Sequence, residues 1–319
     1  MPGIMPNADS VVFKEKFVER YSSLTDWESF KRTSLTFPRK GVRINTLKRS
    51  IEEIKGRLEA LGWILEQVPW IKEGFWIKHE TGRRDLGNTL EHSLGYIYVQ
   101  EPVSMIPPIV LEPKPHELVL DMCAAPGSKT TEIAQMMQNT GILIANDYKG
   151  DRIAALGINI QRSGISNIVI SLMMGHQFRR LLGKVEFDKI LVDAPCSGTG
   201  TIRKSLKTLQ MWNPNMIRKL SGMQKQLLDT AFNLIKPGGT VVYSTCSCEP
   251  EENEEVIDFL LKKHSNAKLE EFHLNGLKTS PTILEFEGKT YDPEIKKCLR
   301  LWPQDNDTEG FFVAKVRKI

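Results

Sequence analysis

The chain has 319 residues, of which 40 % are hydrophobic and 26 % charged, a composition that reads as one large globular domain plus a smaller one. No apolar run approaches the roughly 20 residues of a membrane helix, and the amino terminus has no basic region followed by an apolar core and cleavage site, so a soluble, cytoplasmic protein is expected. Five sparse cysteines, none in a CxxC pair, exclude a disulfide framework and a structural zinc site, leaving free thiols and no expected metal. The net charge of +4 is unevenly spread. Between Glu28 and Glu52 stand seven Lys/Arg and no acid, and between Asp193 and Asp229 six Lys/Arg and again no acid, two segments suited to a polyanion.

In chain order, residues 10–21 read as an amphipathic helix, 41–47 as a strand, 51–61 as a helix stopped at Gly62, and 63–68 and 74–78 as strands. This is a small α+β module, and the proline-punctuated stretch "YIYVQEPVSMIPPIVLEPKP" closes it. The expected division is therefore 1–112 and 113–319. Beyond the linker the pattern alternates: strands at 117–121, 141–146, 167–172, 187–193 and 239–245 are separated by lengths suited to helices. Near-continuous apolar strands with helical crossovers predict a Rossmann-like α/β domain whose parallel sheet is covered on both faces.

Ligands of such a sheet bind beyond the carboxyl ends of its strands. After the first strand, "DMCAAPGSKT" is a tight turn of small residues (Cys123, Ala124, Ala125, Pro126, Gly127, Ser128, Lys129) that opens directly into a helix and lets a ligand approach the backbone. Asp147 ends the second strand, twenty residues after Gly127, where a carboxylate accepts hydrogen bonds from both hydroxyls of a ribose. With neither GxGxxG nor GxxxxGK[ST] present, a cationic, phosphate-free nucleoside suits the turn better than a dinucleotide, and S-adenosylmethionine fits that description. Two further strands end in thiols: "DKILVDAPCSGTGTIRK" at Cys196 and "GGTVVYSTCSCEPEENEE" at Cys246. No Cys–His pair is evident, which disfavours papain-like acyl transfer.

The blocks "CAAPGSKT", "DAPCSGTGTIRK" and "STCSCEPEENE", with "VRINTLK", "YVQEPVSM" and "RLWPQDNDTEGFFVAKVRK", resemble the signature blocks of the Nol/Nop/Sun family of RNA cytosine-C5 methyltransferases across most of residues 41–317. The resemblance implies a Rossmann-like methyltransferase domain behind a small RNA-recognition-like module, with S-adenosylmethionine as cofactor. It implies that Cys246 attacks C6 of a flipped-out cytosine, that Asp193 shares a proton with N3, and that Cys196 helps to remove the C5 proton so that the product is released. Lys129, at the head of the first helix, is expected to contact substrate or cofactor, and Arg152 and Asp193 join the turn and Asp147 in the cofactor set. Where the family ends its third strand with an acid for the adenine amino group, this chain has Met174 and Gly175, leaving backbone groups, His176 or Gln177 for that task. The family's carboxyl-terminal histidine is Gln304 here.

Arg43, Asn45 and Lys48 in the first acid-free segment, and Arg203, Lys204 and Lys207 in the second, are the expected phosphate contacts. The base must be single-stranded, looped or flipped to reach the sheet edge. RNA is implied by the resemblance, compactness points to a tRNA, and a monomeric enzyme is expected. Two alternatives remain open on the residues: a DNA cytosine-C5 methyltransferase, in which Cys196 is the nucleophile, and a non-catalytic RNA-binding factor on the same fold.

Overall fold

The computed structural model describes residues 3–6, 8–178, 180 and 185–319. Helices α1 (Glu15–Leu24) and α2 (Trp27–Ser34) come first, and Asp26 caps α2 by accepting from the Ser29 N–H. A four-stranded antiparallel sheet follows, built from β1 (Lys40–Ile44), β2 (Trp63–Gln67), β3 (Gly74–His79) and β4 (Ile97–Val99) in the order β2-β3-β1-β4. Helix α3 (Ile51–Ala60) begins at a Ser50 cap and lays Ile54 and Leu58 onto Val42, Ile44, Phe75 and Ile77 of this sheet. Gly62, at φ 83°, turns the chain from α3 into β2, a conformation that favours glycine.

The second sheet has β5 (Leu118–Asp121), β6 (Ile142–Asp147), β7 (Ile168–Leu172), β8 (Phe187–Asp193) and β9 (Ile235–Thr245) in the parallel order β7-β6-β5-β8-β9. Beyond them come β10 (Ala267–Glu270), a small hairpin of β11 (Glu285–Phe286) and β12 (Lys289–Thr290), β13 (Leu299–Leu301) and β14 (Phe311–Lys318). The five strands read from the sequence are parallel to one another, and the sheet continues beyond them: β14 pairs antiparallel with β9, and β10 and β13 pair antiparallel with β14, making the whole sheet mixed. Order reverses at β5, which has β6 on one side and β8 on the other, the place where a crevice opens in this architecture.

Adjacent strand residues face opposite layers. Leu120, Ile190, Val192 and Val241 meet α6 (Pro214–Leu234) and α7 (Glu254–Lys263) through Leu228, Ala231, Ile257 and Leu260. Val119, Leu143, Leu191 and Val242 meet Ile133 and Ala134 of α4 (Ser128–Met136). The layer of α4 also takes in Val68, Trp70 and Trp76 from the small module, so the two sheets share one core. Helices α1 and α2 do not cover the small sheet. Phe17, Tyr21 and Phe30 pack on Trp212, Cys248 and Trp302, and Tyr21 donates to Glu249 at 2.8 Å. Helix α5 (Gly150–Ser163) completes the crossover from β6 to β7. Among the described residues, no helix is long and apolar enough to cross a membrane, and no group of His, Cys, Asp and Glu is placed to hold a metal.

Candidate active site

The turn after β5 is held by acids at the ends of two strands. Asp121 is buried; its Oδ2 accepts from Thr130 at 2.7 Å, its Oδ1 has no partner among the described residues, and burial pushes its carboxyl up to about 7. Asp147 is 1 % exposed, and its two oxygens accept the Ala125 and Lys149 N–H groups at 3.2 and 3.1 Å. Arg152 lies 3.2 Å from the Asp147 carboxylate and donates to the Ala125 carbonyl. Gly127 heads α4 at φ 108°, and a Cβ there would come within 3.0 Å of Leu156, so backbone conformation and packing both demand glycine. Burial pushes the Cys123 thiol well up, and the charges of Asp121, Asp193 and Asp147 add to it. Cys123–Lys129, Asp147 and Arg152 thus form one cluster beyond β5 and β6.

Where β8 and β9 end, the two thiols come together. The Sγ atoms of Cys196 and Cys246 are 3.1 Å apart. The hydrogen bond with Cys246, followed by burial, pushes the Cys196 thiol well up, so Cys196 keeps its proton. Beside them Lys129 donates to Asp193 Oδ2 at 2.7 Å, and Ser244 donates to Asp193 Oδ1 at 2.7 Å. Burial works against the Lys129 charge, but Asp193 outweighs it and the ammonium is raised. The cation near the amino end of α4 is therefore explained by an ion pair across the sheet edge, not by the helix dipole.

Several positioning residues escaped the sequence reading. Glu252 accepts from the Ser197 N–H at 2.9 Å and from Gln224 at 3.1 Å, while Gln224 donates in turn to the Pro195 carbonyl at 2.8 Å. Burial pushes Glu252 up to about 7. Asn253 accepts from Thr245 at 2.6 Å and donates to the Ser247 carbonyl at 2.8 Å, bracketing Cys246. The acid-dense "EPEENEE" carried the signal, since acids crowded after an apolar strand must be paired or buried with partners. At the end of β7, Met174 is 53 % exposed and no acid stands there, while Gln304 donates to Thr25 at 2.8 Å as a packing contact.

The expected phosphate contacts need correction. Arg43 is 2 % exposed, and its guanidinium is used up by Gln100 (3.0 Å), Thr131 (2.8 Å) and Gln135. Asn45 is buried and donates to the Gly95 and Ser163 carbonyls, each at 2.9 Å. Lys48 donates to the Leu94 and Arg162 carbonyls at 2.8 and 2.7 Å. Arg203 is 1 % exposed, bonded to Thr36, Phe37, Asp307 and Thr308. These four side chains join the modules, since each donates to an acceptor on the far side of the seam. Lys204 and Lys207 alone of the six remain exposed.

Residues 108–317 match the family model described as 16S rRNA methyltransferase RsmB/F, and residues 13–102 match that of the N-terminal domain of 16S rRNA methyltransferase RsmF. A tRNA (cytosine(49)-C(5))-methyltransferase of Pyrococcus abyssi is 48 % identical over 305 residues, covering 95 % of this chain and 96 % of the relative. A ribosomal RNA small subunit methyltransferase F of Vibrio campbellii is 39 % identical over 97 % of this chain, which spans only 64 % of that relative. Among solved structures, a methyltransferase homolog protein from Pyrococcus horikoshii superposes with a TM-score of 0.85 at 37 % identity, covering 96 % of both chains. NSun6 from Pyrococcus horikoshii, solved with SFG, gives 0.84 at 25 % identity, covering 96 % of this chain and 98 % of its own. Paired thiols, a buried strand-end acid and a small-residue turn on a Rossmann-like sheet stand in a chain matched along most of its length, and the protein belongs to the RsmB/F family of RNA methyltransferases.

Proposed function

We propose that this protein methylates C5 of a cytosine in tRNA through a covalent bond between Cys246 and C6, with residues 1–112 serving RNA binding and 113–319 the chemistry. The observation that carries the reading is the 3.1 Å approach of Cys196 to Cys246 beside the Lys129–Asp193 pair. The higher identity to a relative named for tRNA, 48 % against 39 % for one named for ribosomal RNA, favours tRNA.

Three carboxylates, Asp121, Asp147 and Asp193, act on Cys123 in the turn, and Asp121 Oδ1 is buried without a partner among the described residues. Asp193 is paired with Lys129 and Asp147 with Arg152, which among the described residues leaves Asp121 beside the turn of small residues as the acid without a cation of its own, a setting that suits a cationic nucleoside. S-adenosylmethionine supplies the methyl group, and Cys123–Lys129, Asp147, Arg152 and Asp193 are the residues that would hold it.

The Cys246 thiolate forms the bond to C6, and the C5=C6 electron pair moves onto C5. Asp193, fixed by Ser244 and Lys129, shares a proton with N3 and offsets the charge developing on the ring. Once C5 carries the methyl group, Cys196 gives up its thiol proton to solvent, and the resulting thiolate takes the proton that remains on C5. The C5–H pair then reforms C5=C6 and expels the Cys246 thiolate, and N3 returns its proton. Loss of the Cys196 proton is eased once Cys246 is held in a thioether, because the hydrogen bond from Cys246 is the largest of the influences, burial among them, that raise the Cys196 thiol.

Separate replacement of the thiols tests the assignment. Cys246→Ala is expected to bind RNA and transfer no methyl group, whereas Cys196→Ala accumulates a protein–RNA complex that survives denaturing electrophoresis and depends on S-adenosylmethionine. The opposite pattern would assign Cys196 as the nucleophile, as in DNA cytosine-C5 methyltransferases, and full activity of both would remove the thiols from the chemistry.

A further inference from the structure

A groove of about 890 Å³ lies on the seam between the modules, outside the thiol site. Its floor is the small sheet, through Ile64, Trp76 and Ile77, and one end is closed by Arg203, Lys204 and Leu206 of the catalytic domain. Six exposed or half-exposed cations line it: Arg39, Lys40, Lys78, Arg83, Arg84 and Lys204. The two acids in its lining are already engaged, Glu66 by Arg39 at 2.6 Å and Asp307 by Arg203 at 2.8 Å.

The cations are arranged against their own repulsion. Lys40 donates to the backbone carbonyl of Arg84, and both burial and the Arg84 charge push its ammonium down. Asp85, the nearby acid, is held by Arg83 through two bonds of 2.9 Å. Aromatic faces sit among these charges, with the Arg39 guanidinium 4.0 Å from the Trp76 ring and that of Arg84 4.9 Å from Phe37. Trp76 is 8 % exposed, and its Nε1 has no hydrogen-bond partner among the described residues. Like charges gathered in a concave site attract and orient a polyanion. Aromatic and guanidinium planes between them suit unpaired bases more than a second protein surface.

The groove is also indexed to the chemistry. Lys204 follows the turn that carries Cys196, and within that turn the Gly200 N–H donates to the Cys246 carbonyl at 3.0 Å. Lys204 Nζ lies 3.7 Å from Glu309, and the neighbouring Gly310 N–H donates back to Gly200 at 2.9 Å. A strand lying along the small sheet thus arrives at the segment that positions both thiols.

We infer that this groove holds the single-stranded RNA flanking the target cytosine, with phosphates on Lys40, Lys78, Arg83, Arg84 and Lys204. The inference rests on the RNA-methyltransferase reading above and names the path by which that substrate reaches the site. It replaces the buried Arg43 and Arg203 as phosphate contacts, keeps Lys204, takes Lys40 from the first acid-free segment, and adds Lys78, Arg83 and Arg84 from outside both segments.

The test uses the full chain, a short single-stranded oligoribonucleotide with one cytosine, and the pair Lys40→Ala/Arg84→Ala. Binding is expected to weaken about tenfold or more, with the slope of log K against log salt falling by about 1.4 for two lost contacts to a single strand. The pair Lys40→Arg/Arg84→Lys should restore the wild-type slope, and Lys268→Ala, on β10 and outside the groove, should not change it. S-adenosylmethionine affinity and kcat at saturating RNA should hold while KM rises. A variant pair with wild-type KM and salt slope overturns the groove assignment. So does competition by poly-glutamate equal to that of RNA at matched charge, which would assign the groove to acidic polypeptides. Wild-type protein that binds the oligonucleotide through these residues but never methylates it would instead sink the proposed reaction and leave the groove standing.

Discussion

Arg43 sits on β1 of the small sheet, yet its guanidinium bonds to Thr131 and Gln135 of α4 in the catalytic domain. Removing it leaves those groups and Glu132 buried without their cation, so Arg43→Ala is expected to cost about 3 kcal/mol or more of stability. Urea denaturation checks this, and the RNA-binding salt slope of the folded variant should stay at the wild-type value, in contrast to Lys40 and Arg84. Asp147 concentrates another role in one side chain, since it aligns the turn at Ala125 and Lys149 and faces the expected ribose. Losing one or two charge-assisted bonds of about 1.5–3 kcal/mol each should weaken S-adenosylmethionine binding of Asp147→Ala by at least about tenfold. Calorimetry reads the result directly, and unchanged affinity would reject the ribose role.

The turn into α4 is the element that positions both the residues proposed to hold the cofactor and Lys129, the partner of Asp193. Gly127→Ala strains a φ of 108° and presses a Cβ to 3.0 Å from Leu156, so a loss of about 1–3 kcal/mol in stability is expected, with reduced cofactor affinity. The same helix carries Glu132, whose carboxyl is pushed up to about 8 by burial despite the Arg43 charge and a 2.8 Å bond from Gln100. A native acid that holds its proton above the range of the unfolded chain stabilises the fold at low pH, and that contribution fades as pH rises through about 8. Stability should therefore decline between about pH 5 and pH 9, and Glu132→Gln should flatten the decline when denaturation midpoints are compared across that range. The parallel strands and the strand-end positions of Asp193, Cys196 and Cys246 were legible in the sequence, because apolar runs ending in polar turns have a direct physical meaning. Strands β10, β13 and β14 were not, since their antiparallel pairing depends on partners far along the chain. The cationic segments were legible as segments. Which cation faces water was not, because burial of Arg43 and Arg203 is decided by acceptors that only the assembled modules bring near.

For the whole molecule, the decisive feature is the shared core of Trp70 and Trp76 with Ile133, Leu191 and Val313. Modules joined this way lose their interface only by exposing both cores, so unfolding should be a single cooperative transition. Tryptophan fluorescence and far-ultraviolet circular dichroism should give coincident denaturation curves. Two separated transitions would show that the small sheet melts alone. The packing of α1 and α2 bears on how the chain is made as well as on how it holds together. Their aromatic face of Phe17, Tyr21 and Phe30 has its resting place on Trp212, Cys248 and Trp302, which leave the ribosome long afterwards. At roughly 5–20 residues per second, the wait for Trp302 is on the order of 15–50 s, during which an aromatic surface stays uncovered on the nascent chain. Birth order thus runs opposite to docking order, and a ribosome stalled before Trp302 would present that surface to chaperones and to neighbouring chains.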